Sequence, residues 1–280
     1  MKIGMKSRKI ISTILFYLIL VVLVICVLYP FVIMISGAFK TDMEMNRFPL
    51  RIIPESPTLE HFKTLFDTIP FWRQFGNSLM ISTACALIAM TFNGLVAYGF
   101  NRFEFKGKNI LFTLIISTML IPGQVYMVPQ FQMYQQMGFF GTYVPLLVPS
   151  TISAFGIFLI TQIMKSVPKE LYESATIDGC SEMRIFLQIA VPLSAAGLGM
   201  QGVLTFMSTW NDFMTPLIYL NEEIKYTLPI GLMRLQNFYK ISYGAPLAGA
   251  LLSCIPIIII LTAVGEKYFV NGMMAGAVKG

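Results

Sequence analysis

At 280 residues the chain is long enough for one or two soluble domains, but 56% of it is hydrophobic and only 12% charged, too little charge to clothe a water-facing surface. The formal net charge of +6 suits anchoring to anionic lipid and contact with an acidic-faced partner, and gives no reason to invoke nucleic acid. No Asp, Glu, Lys or Arg occurs in residues 10–39, 74–101, 109–164, 185–211 or 241–265. A bilayer-crossing helix needs about 20 mostly apolar residues, so each stretch spans once and the third is long enough to span twice.

The chain therefore reads as an all-α polytopic membrane protein with six transmembrane helices, near residues 11–36, 76–100, 109–130, 142–163, 194–220 and 244–269. Residues 1–10 carry Lys2, Lys6, Arg8 and Lys9 ahead of the first apolar run. That run is longer than a signal-peptide core and its small-residue site, Ser36-Gly37-Ala38, comes only at its far end, so it reads as an uncleaved span. Residues 37–75 form an external loop. There Asn46-Arg47-Phe48-Pro49, Ile52-Ile53-Pro54 and the helical-looking Leu59 to Phe66 suggest an ordered lid or partner platform, or a loop packed on the spans. His61, the one histidine, reads as an ordinary surface residue and cannot build a multi-histidine metal site.

In the third span Gln124 follows Pro122 and Gly123, which suits a kink with interhelical hydrogen bonding or contact with a solute. The glutamine-rich, glycine-bearing stretch 130–141 reads as an interfacial turn before the fourth span. Asn211 and Asp212 sit near the outer part of the fifth span. A carboxylate is costly against lipid, so Asp212 faces a cavity or a helix interface. Gly197, Gly199 and Gly202, with Gly244/Ala248 and Ala245/Gly249 in the sixth span, permit close helix approach.

Lysine and arginine counts in the connecting segments, twelve against eight, place both termini in the cytoplasm. Three of the four cysteines fall inside spans and Cys180 in a cytoplasmic loop, which predicts neither a disulfide framework nor a metal cluster. No Walker loop, dinucleotide fingerprint or GxSxG elbow occurs, so no catalytic residue is assigned. Uphill transport by this chain would need energy from a partner or an ion gradient.

Residues 164–193 stand apart as two short helices with Gly179 between them. Ser166 suits a cap, Pro168 the first turn, and Glu170 a position where the helix dipole favours an acid. Ser181 suits a second cap, and Pro192 marks the approach to the fifth span. Leu171, Ala175 and Asp178 share one face, Glu173 and Ile177 another. Small Ser174 and Ala175 would admit a close protein surface, with Glu170, Glu173 and Asp178 offering carboxylates to basic groups on it. An amphipathic helix resting on lipid would carry more Lys and Arg, so docking to a cytoplasmic protein is favoured.

The segment Glu173-Ser174-Ala175, Gly179 and Ile189-Ala190-Val191-Pro192 resembles the cytoplasmic signature of permease subunits of binding-protein-dependent ABC importers, in the maltose-type carbohydrate branch. Ser174 stands where the pattern has alanine and Val191 where it has leucine. Asn77-Ser78-Leu79, Ala97-Tyr98-Gly99-Phe100-Asn101-Arg102-Phe103, Ile121-Pro122, Ile177-Asp178-Gly179, Trp210-Asn211-Asp212, Thr227-Leu228-Pro229 and the tail from Phe269 to Gly280 match in order. The resemblance implies a second permease subunit, two cytoplasmic ATPase subunits holding ATP and Mg, and an extracytoplasmic solute-binding protein, in a bacterial cell membrane. It makes the segment around Glu170, Glu173, Ser174, Ala175, Asp178, Gly179 and Pro192 the ATPase-coupling element, leaves this chain without a cofactor, and points to a sugar or oligosaccharide. An ion-driven carrier or channel would account for the spans and Asp212, and a transport-inactive scaffold for the spans alone; neither gives the 173–192 signature a purpose.

Overall fold

The computed structural model describes residues 5–48, 51–238 and 243–263. The end of the sixth predicted span (264–269), the tail from Phe269 to Gly280, and Pro49 and Lys240 lie outside the described residues.

Fifteen α-helices, joined by short 3-10 turns, make up the described chain, in which there is no strand. They are α1 (Met5–Ala38), α2 (Asp42–Met45), α3 (Glu60–Thr68), α4 (Phe71–Arg102) and α5 (Lys108–Ser117). After these come α6 (Met127–Gln136), α7 (Val144–Leu147), α8 (Ala154–Met164), α9 (Lys169–Ile177) and α10 (Glu182–Ile185). The last five are α11 (Val191–Leu193), α12 (Ala195–Trp210), α13 (Met214–Tyr219), α14 (Leu228–Phe238) and α15 (Gly244–Ile260). Among the described residues, four helical segments are long and apolar enough to cross a membrane, six if each of two sharply bent pairs counts as one span.

Helix breaks correct two predicted spans. Lys108–Leu120 meets Gly123–Gln136 at 89°, because Pro122 lacks an N–H and pushes the residue before it out of helical geometry. The helix then resumes through the Gln- and Met-rich stretch, good helix formers, so the turn begins after Gln136, with Gly138 and Gly141 at φ 75°, and not at 130. The fifth span, expected to run to 220, stops at Trp210: the Asn211 side chain donates back to the Met207 carbonyl at 2.8 Å, and Asp212 accepts from the Thr215 N–H at 3.2 Å. Both side chains compete with the helical ladder and end it. The second span begins at Phe71, directly after Pro70, five residues before its predicted start.

The contacts divide the chain into two units. The first comprises residues 1–69 and 232–254. From residue 11 to 32 its α1 is almost wholly apolar and exposed, a surface suited to hydrocarbon, and it becomes buried at Ser36 to Ala38. The loop after α1 is ordered: the Lys40 ammonium donates to the Arg51 carbonyl, the Ser36 hydroxyl to the Ile52 carbonyl, and Thr41 caps α2. His61 is not a surface residue. It is 4% exposed, because Gly244 leaves room for its ring; Asp42 lies 3.8 Å from its Nε2.

In the second unit, residues 70–231 and 255–280, α12 lies along α4 and α8 packs on both. Small residues set this approach: Gly202 faces Met90, and Gly197 faces Ile163. Gly199 instead lines an apolar groove with Leu79, Leu87 and Phe206. The segment before α14 is stitched to α4: the Asn77 amide donates to the carbonyls of Ile224 (2.9 Å) and Tyr226 (3.0 Å), and Ser78 Oγ accepts from the Leu228 N–H at 2.8 Å. Two short sequence matches 150 residues apart, Asn77-Ser78 and Thr227-Leu228, thus form one joint.

Candidate functional site

Pro168 is the residue that opens α9, and Glu170 lies in the first turn. Ser166 does not cap this helix; its hydroxyl donates back to the Ile163 carbonyl at 2.7 Å, closing α8. At the other end the Cys180 N–H donates to the Ala175 carbonyl (3.0 Å) and the Gly179 N–H to that of Thr176 (3.1 Å). This is a Schellman closure, which needs a left-handed residue; Gly179 supplies it at φ 76°. Ser181 then caps α10, its Oγ accepting from the Arg184 N–H at 3.4 Å. A π-helical turn over Phe186–Ala190 leads into Pro192, which is exposed and lacks the N–H that a regular turn would use.

α9 has two faces. Tyr172 and Ala175 are buried with Val167, Ile185, Phe186 and Ala190, the end of α4 at Ala97 and Tyr98, and Ile160 and Met164 of α8. Glu170, Glu173, Ser174, Ile177, Asp178 and Gly179 are exposed, Ile177 at 86%. Three carboxylates and one bare isoleucine therefore face outward from a helix clamped at both ends.

Arg102, which the sequence places in the Ala97–Phe103 match and among the cytoplasmic charges, ties this segment to α4. Its Nε donates to both Glu182 carboxylate oxygens at 3.2 Å, and one terminal nitrogen donates to Glu182 Oε1 (3.0 Å) and Thr176 Oγ1 (2.7 Å). The Tyr98 hydroxyl donates to the same carboxylate at 2.5 Å. The hydrogen bond from Arg102 holds the Glu182 carboxyl below its ordinary pKa, with the Tyr98 bond and the Arg102 charge acting in the same direction and burial against them. No local pattern pairs residues 80 positions apart, so only the fold reveals this strut.

A second constellation forms at the two breaks. Gln124 and Asp212 line one cavity of about 370 Å³, together with Gln130, Ser208, Thr209 and Tyr219. An adjoining cavity of about 400 Å³ shares Ser150, Ser208 and Thr209 with it and extends to Ser153, Gln201 and Thr205. Asn211 does not join them, its amide being turned back onto its own helix. Gln201, Thr205 and Ser208 were not expected here from the sequence, although with Asp212 they recur at three- and four-residue intervals.

Residues 90–267 match the family described as the binding-protein-dependent transport system inner membrane component. The chain belongs to this family. The permease is 32% identical over 255 residues to the arabinooligosaccharides transport system permease protein AraQ of Halalkalibacterium halodurans, covering 90% of this chain and 91% of that protein. It is 34% identical to the galactooligosaccharides transport system permease protein GanQ of Bacillus subtilis, covering 99% of each. Among solved structures it shares the fold of a chain from a bacterial ABC transporter involved in the import of the acidic polysaccharide alginate, with TM-score 0.83, 20% identity and coverage of 96% and 99%. A further structure of the alginate transporter, in complex with alginate pentasaccharide-bound periplasmic protein, matches with TM-score 0.65 and 19% identity.

One expected member of the permease's docking surface sits elsewhere. Ala175 is 7% exposed and packs into this chain's own core, so its small size serves internal packing and not an external partner. Ala175→Leu is expected to destabilise the permease by about 1–3 kcal/mol through overpacking. A lowered melting temperature of the purified chain, before any ATPase is added, checks this; an unchanged melt with impaired docking would return Ala175 to the interface.

Proposed function

We propose that this permease is one of two membrane subunits of an ATP-driven, binding-protein-dependent importer of oligosaccharides, with its N-terminus in the cytoplasm. The observation that carries the reading is α9: its inner face is fixed in the core, its ends are closed by Pro168 and Gly179, and its outer face leaves Glu170, Glu173, Ser174 and Asp178 exposed. Such a helix transmits a push from a docked protein, because packed elements move as units. The partner would be one of two cytoplasmic ATPase subunits, which hold ATP and Mg and perform hydrolysis; this chain contributes no catalytic group. A second permease completes the pathway, and an extracytoplasmic solute-binding protein delivers the sugar. Relatives named for arabinooligosaccharides and galactooligosaccharides support the substrate class.

Reconstitution of the permease pair and ATPases in proteoliposomes is the test. Binding-protein-stimulated, ATP-dependent saccharide uptake is expected; uptake driven by an ion gradient without ATPase would replace this reading with a carrier.

Gly179 gives a narrower test of the docking face. No atom lies within 4 Å of where its Cβ would stand, so a side chain there meets nothing in this chain. Asn tolerates the left-handed conformation better than other residues. Gly179→Asn should therefore leave insertion and melting temperature near wild type while lowering ATPase co-purification by at least about tenfold, the equivalent of 1.4 kcal/mol at the interface. Wild-type co-purification would remove Gly179 from the contact.

A further inference from the structure

The two adjoining cavities share Ser150, Ser208 and Thr209 and set polar side chains of α12 among apolar ones. Gln201, Thr205 and Ser208 succeed one another down a single face of α12, and Asp212 follows just beyond its end. Gln124 and Gln130 contribute amides from the other side of the α5–α6 break, and the rings of Tyr126 and Tyr219 form part of the wall. Amides and hydroxyls both donate and accept, and aromatic walls cover apolar sugar faces, a lining suited to a polyhydroxylated solute. Asp212 is the only charged side chain on either cavity among the described residues; no Lys or Arg lines them.

Resting on the oligosaccharide-permease reading, we infer that this stripe is a saccharide contact site and that Asp212 makes it select uncharged over acidic sugars. The carboxylate is an acceptor, able to take two hydroxyl hydrogens of a neutral sugar. Its place is fixed by the Thr215 N–H at the start of α13. A uronate brought to the same place adds a second negative charge with no Lys or Arg among the described lining residues, and like-charge juxtaposition is costly. The fold shared with an alginate importer does not decide this preference; the chemistry of the cavity lining does.

The test uses the complete permease–ATPase assembly in nanodiscs without binding protein, titrated with neutral galactooligosaccharides and with oligogalacturonides of equal length and read by saturation-transfer NMR. Wild type should bind the neutral series at least about tenfold more tightly. Asp212→Asn should weaken neutral binding about tenfold and bring the two series within about threefold of each other, and Ser208→Lys should reverse the order. Asn211→Ala, outside the cavities, should change neither. Equal or tighter binding of the acidic series by wild type overturns the inference, as does an unaltered Asp212→Asn. Where ATP-driven saccharide uptake persists despite such a result, the charge selection falls and the importer reading stands. Where the verified assembly neither binds nor takes up any saccharide, both fall.

Discussion

Replacing Arg102 with alanine is expected to reduce ATP-driven uptake by at least about tenfold while the ATPase subunits still bind. The guanidinium holds Glu182 at the head of α10 and Thr176 within α9, so it fastens both short helices to the end of α4. Charge-assisted hydrogen bonds of this kind contribute about 1.5–3 kcal/mol each when shielded from water. The Glu182 side chain is 43% exposed and that of Arg102 19%, which places the tie toward the low end of that range. Even 1.4 kcal/mol is a factor of ten in the population of the correctly held segment. The outer face of α9 is untouched, so docking survives while force transmission to α4 is lost. Uptake and binding-protein-stimulated ATPase activity, measured side by side, separate the two. The exchanged pair Arg102→Glu with Glu182→Arg should recover part of the loss, giving a coupling energy by double-mutant cycle. Additive effects in that cycle, or wild-type uptake by Arg102→Ala, would refute the strut.

The same pair sets a pH dependence. Glu182 has its folded pKa lowered, so its contribution to stability is present above the unfolded carboxyl pKa and is lost as pH falls through the folded value. The difference in melting temperature between wild type and Arg102→Ala should hold through neutral pH and shrink in acid.

Gly156→Val is expected to abolish recovery of a monodisperse permease. A Cβ at this position would lie 2.6 Å from the Gln201 amide of α12 and 2.8 Å from Asn93 Nδ2 of α4, at the point where α8 packs between them. Each neighbour is held by a hydrogen bond. Asn93 is fully buried, and its Oδ1 accepts from the Ser153 N–H at 2.9 Å, satisfying the backbone at the start of α8. Gln201 is 3% exposed and donates to Thr205 Oγ1 at 3.1 Å. Overpacking costs about 1–3 kcal/mol and occasionally more, and each buried group stripped of its partner adds about 1–3 kcal/mol. Together these approach the whole of a typical folding free energy of about 5–15 kcal/mol. Gly156→Ala should already lower the melting temperature, and fluorescence-detected size exclusion of the valine variant should show aggregate. A normal valine profile would mean that the three helices are less tightly joined than these distances imply.

What could be read along the chain was whatever depends on neighbours in sequence. Runs without charge mark the spans because hydrocarbon excludes charge over a fixed thickness. Pro168, Gly179 and Ser181 mark helix ends because each acts on the backbone within a turn or two. The Glu173–Pro192 pattern indicated the family, and residues 90–267 match it.

Pairings across long intervals were not legible. Arg102 with Glu182, Asn77 and Ser78 with residues 224–228, and His61 against Gly244 join positions whose separation along the chain carries no periodic signal. The inward face of Ala175 was also hidden, since a nine-residue helix with apolar residues on several sides does not say which side meets its own core. The apolar segments and the capped helix α9 followed from local chemistry. Which of their polar side chains meet, Gln124 with Asp212 in one cavity and Arg102 with Glu182 in one strut, was decided by tertiary packing, because contact between distant residues depends on how helices cross and break.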